Sequence, residues 1–266
     1  MRTLEITGLH KQFFDIYTEE TVTAIDDVSF SIEQGEFVSV LGPSGCGKTT
    51  ILNIVAGFEQ QTEGTVEVDG KAVTGPSPER GVVFQSFALF PWKTVLGNVV
   101  FGLRMRGVPR RDREPIARQY LELVGLHGFE RKFPHELSGG MQQRLGVARV
   151  LANEPAVMLM DEPFASVDAQ TRRKLQEDLT SIFESKRPTV FFVTHDIDEA
   201  VFLSDRIVVL TAHPGRVNEI VRVPLKRPRE WRAVLENPDF RSTVTYITDL
   251  LAGEQPDVVP ADVDHP

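Results

Sequence analysis

Apolar residues along the chain fall into two kinds of run. Leu4-Glu5-Ile6-Thr7-Gly8-Leu9 and Val28-Ser29-Phe30-Ser31-Ile32 alternate apolar and polar positions, the period of a strand with one exposed face, and they predict an antiparallel side sheet. Phe37-Val38-Ser39-Val40-Leu41, Gly81-Val82-Val83-Phe84, Val157-Met158-Leu159-Met160 and Val190-Phe191-Phe192-Val193 are short, almost unbroken apolar runs, which predict parallel strands buried on both faces. Thr65-Val66-Glu67-Val68 followed by Asp69-Gly70 reads as a strand and turn. Helical spacing runs over 51–56, 99–103, 116–124, 142–151 and 197–204, with further strands expected over 206–211 and 216–223. The pattern predicts an α/β domain over 1–223 carrying a helical insert at about 86–152. From Pro224 the text turns proline-rich and charged, so 224–266 is expected to be an extension, with one helix over 238–251 and a disordered acidic end.

Composition narrows the class. A chain of 266 residues that is 41% hydrophobic can bury one large core. No apolar run approaches the ~18 residues that cross a bilayer, and Met1-Arg2-Thr3-Leu4-Glu5 does not begin a signal peptide. A soluble protein is expected, with any membrane role coming through a partner. The net charge is −9, and still −4 without the five acids of 242–266, which argues against general nucleic-acid binding. Cys46 is the single cysteine, so no intrachain disulfide forms.

The strongest chemical signal is Gly42-Pro43-Ser44-Gly45-Cys46-Gly47-Lys48-Thr49-Thr50, which fits G-x-x-x-x-G-K-[ST]. Its glycines let the backbone approach phosphate closely, and its N–H groups converge there at the start of a helix whose dipole is positive. Lys48 supplies a compact cation for the β- and γ-phosphates, and Thr49 a hydroxyl for Mg²⁺. The thiol of Cys46, at a helix N-terminus, is expected to be reactive. A strand before the loop and a helix after it supply the context the motif requires.

Three weaker signals gain weight from that loop. Gln85 follows one core strand, Asp161 and Glu162 end a second, 113 residues beyond Lys48, and His195 ends a third. Each pattern is common alone. Together they place polar groups at one edge of a parallel sheet, where such folds hold ligands. Asp161 is suited to hold Mg²⁺, Glu162 to orient water, and His195 to contact a γ-phosphate. In Leu137-Ser138-Gly139-Gly140-Met141-Gln142, Ser138 opens a helix, either as a plain cap or as a second anion site. Among Phe13, Phe14 and Tyr17, an aromatic is available to stack on a base, worth only ~0.5–1.5 kcal/mol.

With loop, Gln85, Leu-Ser-Gly-Gly-Met-Gln, Met-Asp-Glu-Pro, Ser-Val-Asp and His195 in order, residues 3–223 resemble an ATP-binding cassette ATPase. The resemblance implies a P-loop nucleotide-hydrolase core of α/β class with an N-terminal antiparallel β subdomain and an inserted α-helical subdomain. It implies ATP and Mg²⁺ as cofactors, with Thr49, Gln85 and Asp161 at the metal and Lys48, Gln85, Glu162 and His195 serving hydrolysis. Phe13 falls where that family stacks its adenine. Two cassettes would face each other head to tail, so that Ser138, Gly139, Gly140 and Gln142 cover the partner's ATP. Asp168 would cross the interface, although Ser166-Val167-Asp168 departs from the family's Ser-Ala-Leu-Asp.

Within that family Gly75-Pro76-Ser77-Pro78-Glu79-Arg80, Leu89-Phe90-Pro91-Trp92, His195-Asp196-Ile197-Asp198-Glu199-Ala200 and Pro214-Gly215-Arg216-Val217 resemble importer ATPases for nitrate, sulfonates and taurine. That implies an identical second subunit, a transmembrane permease, an extracytoplasmic solute-binding protein, and a place on the cytoplasmic face of the inner membrane. A non-transport switch of the same fold, acting on a soluble protein or a nucleic-acid machine, is the alternative.

Overall fold

The structure, a computed structural model, describes residues 2–16, 19–165 and 167–253. Tyr17, Ser166 and the acidic end expected to be disordered lie outside the described residues. The chain opens with two long strands, β1 (Arg2–Asp15) and β2 (Glu20–Glu33), followed by the short β3 (Phe37–Leu41) and helix α1 (Lys48–Ala56). Next come β4 (Glu63–Val68), β5 (Lys71–Ala72) and β6 (Arg80–Val83), and then the helices α2 (Val95–Met105), α3 (Arg110–Leu123) and α4 (Gly139–Leu151). The remainder alternates: β7 (Val157–Asp161), α5 (Ala169–Lys186), β8 (Val190–Thr194), α6 (Ile197–Leu203), β9 (Arg206–Leu210), β10 (Val217–Arg222), α7 (Trp231–Glu236) and α8 (Pro238–Ala252).

A six-stranded sheet in the order β10-β9-β3-β8-β7-β6 divides the interior. Its pairs are parallel except β9 with β10. Side chains alternate across it: Phe37, Leu41, Met158, Met160 and Phe192 enter one core, and Val38, Val40, Leu159, Phe191 and Val193 the other. Both faces are covered, so the central strands show no polar alternation in sequence. The antiparallel sheet β2-β1-β4-β5 and α1 cover one face. There Leu4 lies between Ile32 and Val68, and Ile6 between Phe30 and Val66, so the alternation at 4–9 and 28–32 corresponds to one buried face. Asp69 and Gly70 both have positive φ, 49° and 71°, the requirement of the two-residue turn joining β4 to β5.

Two expectations need correction. β6 is an edge strand ending at Val83, with Arg80, Gly81 and Val82 only partly covered, so the 81–84 run is not a fully buried strand. Its apolar character comes from packing on β7 and on Val150 of α4, with no strand beyond it. The long helix α5 stands where no element is expected, although Leu175, Leu179, Ile182 and Phe183 fall at helical spacing. Its buried residues, Leu175, Leu179, Ile182 and Phe183 among them, occupy one face of an otherwise charged helix.

The segment after Val223 packs on the α/β core. Buried Arg229 donates to the carbonyls of Phe202 at 2.8 Å and Ser204 at 2.9 Å, satisfying the C-terminal end of α6. Trp231 lies flat on Phe202, centroids 4.1 Å apart and planes 5° apart. Phe240, Tyr246 and Ile247 of α8 join the same core, and the Tyr246 hydroxyl donates to Glu219 at 2.7 Å. No helix among the described residues is long and apolar enough to cross a membrane.

Candidate functional site

The loop between β3 and α1 closes around a cleft of about 790 Å³ at the C-terminal end of the parallel strands. Gly42, Pro43, Ser44, Gly45, Gly47, Lys48, Thr49 and Thr50 line it, together with Glu162 and His195. Gly45 and Gly47 hold φ of 81° and 91°, values that only glycine adopts without strain. Lys48 is nearly buried, and its Nζ donates to the carbonyls of Gly42 and Pro43, both at 2.8 Å. Cys46 is the exception in the loop. Its side chain is fully buried beneath it, with Sγ 2.7 Å from where a Cβ on Gly42 would stand. The reactive thiol expected from the sequence is therefore shielded by the packing of the loop itself.

The acids arrive on β7. Asp161 Oδ1 accepts from the Thr49 hydroxyl at 3.2 Å, so two of the three expected Mg²⁺ ligands already adjoin, and the third, Gln85, stands apart. Burial pushes the Asp161 carboxyl up, and the Thr49 hydrogen bond opposes the shift. Glu162 follows with φ of 42°, an unusual backbone for a glutamate, and its N–H donates to Val193 of β8 at 2.9 Å. That turn sends its side chain toward His195, whose Nδ1 lies 3.1 Å from Glu162 Oε1. His195 is otherwise well exposed, and Glu162 is about three-quarters covered.

Other expected residues lie apart from this cleft. Gln85 is exposed, two residues past the end of β6, and is not among the lining residues. Phe13 is 40% exposed near the tip of the β1–β2 hairpin, with Lys11 Nζ 4.6 Å from its ring centre. Ser138 caps α4, accepting from the Met141 N–H at 3.4 Å, and Gln142 donates to the Pro134 carbonyl at 3.0 Å. Gly139 and exposed Asp168 open α4 and α5, and Asp168 accepts from the Thr171 N–H at 3.1 Å, which holds its carboxyl below the usual range. A Cβ on Gly140 would stand 2.9 Å from Thr171 Cγ2, so the two helix starts lie side by side. Ser138, Gly139 and Asp168 are exposed at these two helix starts, Gly140 is buried beside them, and none of Ser138 through Gln142 or Asp168 lines the chain's own cleft.

Sequence reasoning missed Ala24, Ile197 and Leu251, which complete the lining. They are apolar residues on β2, α6 and α8, with no chemical signal to mark them. It also gave Gly215 no structural task. A Cβ there would stand 2.1 Å from the Cys46 carbonyl, so the β9–β10 turn abuts the back of the phosphate loop. An isolated glycine beside a strand is the available sign of such an approach.

Comparison with known proteins agrees with this geometry. Residues 25–165 match the sequence profile of the ABC transporter family. An ABC transporter ATP-binding protein of Methanocaldococcus jannaschii is 52% identical over 244 residues, covering 92% of this chain and 90% of that one. The nitrate import ATP-binding protein NrtD of Synechococcus elongatus is 45% identical, with 86% and 84% covered, and the aliphatic sulfonates import ATP-binding protein SsuB of Bacillus cereus is 44% identical, with 85% and 88% covered. A dimeric ATP-binding cassette solved in a post-hydrolysis state with ADP and phosphate superposes with a TM-score of 0.71 at 33% identity, over 84% of this chain and 100% of that one. A family match over more than half the chain, together with relatives alike over most of its length, establishes that this protein belongs to the ABC transporter family, as one of its ATP-binding, ATP-hydrolysing subunits.

Proposed function

We propose that the chain is the ATPase subunit of an importer that moves a small anionic or zwitterionic solute, of the nitrate, sulfonate or taurine kind, through a separate permease. Its likeness to the nitrate and sulfonate import subunits supports the solute class. The loop amides and Lys48 bind the β- and γ-phosphates. Thr49 and Asp161 offer two hard oxygen donors side by side, and no cluster of three acids, histidines or cysteines occurs among the described residues. That donor set fits Mg²⁺, which takes one or two protein ligands and completes its shell with phosphate and water. Bound there, the ion would neutralise charge on the β- and γ-phosphates. Glu162 accepts a proton from the attacking water, and His195 fixes the carboxylate on one side while its other nitrogen faces the γ-phosphate. Ser138, Gly139, Gly140, Gln142 and Asp168 serve the partner's ATP, and Phe13 and Gln85 join the site when the dimer closes. The permease meets the exposed Trp92 region, placing the subunit on the cytoplasmic side of the membrane.

The observation that carries this reading is the 3.1 Å contact of Glu162 with His195 at the mouth of the Lys48 cleft. Glu162→Gln should keep ATP affinity, lower phosphate release by about 100-fold or more, and accumulate a MgATP-dependent dimer in size-exclusion chromatography. Turnover equal to the parent would sink the assignment.

A further inference from the structure

Behind the cleft runs a buried chain of hydrogen bonds that begins outside the sheet. Trp231 Nε1 donates to Gln176 Oε1 at 2.9 Å, and Gln176 Nε2 donates to Glu199 Oε1 at 2.8 Å. The other Glu199 oxygen accepts from the Thr194 hydroxyl at 2.5 Å, and Thr194 Oγ1 in turn accepts from the Asp196 N–H at 3.1 Å. Four elements are tied this way: α7, α5, α6 and the end of β8. Gln176, Thr194 and Glu199 are each at most 4% exposed, so water does not substitute for the links that join Trp231, Gln176, Glu199 and Thr194. Thr194 and Asp196 are the two residues flanking His195.

The polarity is consistent throughout. In its ionised form Glu199 accepts at both oxygens, and Gln176 spends its acceptor on Trp231 and a donor on Glu199. A carboxylate is a costly group for filling space, since apolar residues of like volume pack the same gap without a desolvation penalty. Burial pushes the Glu199 carboxyl up to about 7, against the hydrogen bonds from Thr194 and Gln176. The charged neighbours bearing on it are Asp196 in the loop, which raises it further, and Arg172 on α5, which lowers it.

We propose that Trp231 and Glu199 are positioning residues for His195, so that the segment after Val223 holds the Thr194–Asp196 loop in the register that keeps the imidazole on Glu162. This rests on the reading of Glu162 and His195 as the hydrolytic pair. The hold has two grips. Trp231 also stacks on Phe202 of α6, while Leu251 of α8 reaches the wall of the nucleotide cleft itself. A hydrogen bond worth about 1 kcal/mol corresponds to about a fivefold change in rate.

The test uses the full chain with MgATP, measuring kcat and KM for Trp231→Phe, which retains a stacking ring and removes the N–H donor, and for Gln176→Met. Each is made in the parent and in a His195→Ala background. Both substitutions should lower kcat about fivefold, leave KM within about twofold, and have no further effect once His195 is absent. A proportional loss in the His195→Ala background overturns the proposal, because the chain would then act elsewhere. Unchanged kcat in both variants overturns it as well. If His195→Ala itself keeps parental turnover, the hydrolytic reading fails and this proposal with it, an outcome distinct from the other two. A readout free of activity is the His195 ring resonance, assigned by its disappearance in His195→Ala. It should move or broaden in Trp231→Phe, and an unmoved resonance counts against the proposal.

Discussion

Single residues carry much of the site's shape, and their burial decides their chemistry. Gly47 combines φ of 91° with a Cβ position 3.0 Å from Ile25 Cγ1. Gly47→Ala should cost about 1–3 kcal/mol of backbone strain and weaken ATP binding, read by urea unfolding and nucleotide titration. Cys46 shows the limit of motif reading: the pattern places it in a phosphate loop, yet nothing in the spacing says that its side chain points inward. It should react with maleimide at the rate of global opening, with little protection from nucleotide, as followed by mass spectrometry. Glu199 gives a pH prediction. Its carboxyl holds a proton up to about 7 in the folded chain, whereas the unfolded value is 4.5. Between those values the folded state binds more protons, so stability should fall as pH rises across that window and level off above it, by at most about 3 kcal/mol. Glu199→Gln should flatten that slope in urea midpoints taken at pH 5 and 8.

Elements were legible in proportion to how completely their environment matches their sequence period. β3, β7 and β8 are buried on both faces, so continuous apolar runs reveal them directly. α5 escaped because its apolar stripe, Leu175, Leu179, Ile182 and Phe183, is thin over eighteen residues and is set among seven charged ones. The helical insert holds its entry loop with polar groups that no periodicity reports. Asn98, fully buried on α2, accepts from the Phe90 N–H at 2.9 Å and donates to the carbonyls of Phe90, Lys93 and Thr94. Arg149 holds the carbonyls of Phe87 and Ala88, whose φ values of 60° and 45° are left-handed. Asn98→Leu should therefore destabilise the chain by about 2–4 kcal/mol through orphaned backbone groups. It should also open the Trp92 loop to limited proteolysis.

Across the whole molecule, residues from the ends of different strands meet at one edge. The site's polar half was readable for that reason: Asp161 ends a strand of the parallel sheet, and Lys48, Thr49, Glu162 and His195 each come after one. Its apolar half was not, since Ala24, Ile197 and Leu251 come together only when the side sheet and the C-terminal helices are folded on. The same packing makes those helices part of the fold. A chain ending at 223 would lose Arg229 from the carbonyls of α6 and uncover Phe202, and it should fail to yield a cooperative thermal transition in circular dichroism.

Lys48 has one more consequence. The Gly42 and Pro43 carbonyls take two of its three ammonium donors, which fixes the cation beneath the loop without neutralising its charge. A cation held in that position favours ligands that bring several anionic oxygens at once, because they can meet the remaining ammonium donor and the loop amides together. Chloride or a lone carboxylate gains little there. Inorganic triphosphate should therefore compete with ATP for the loop far better than chloride or acetate does, in a nucleotide-displacement titration.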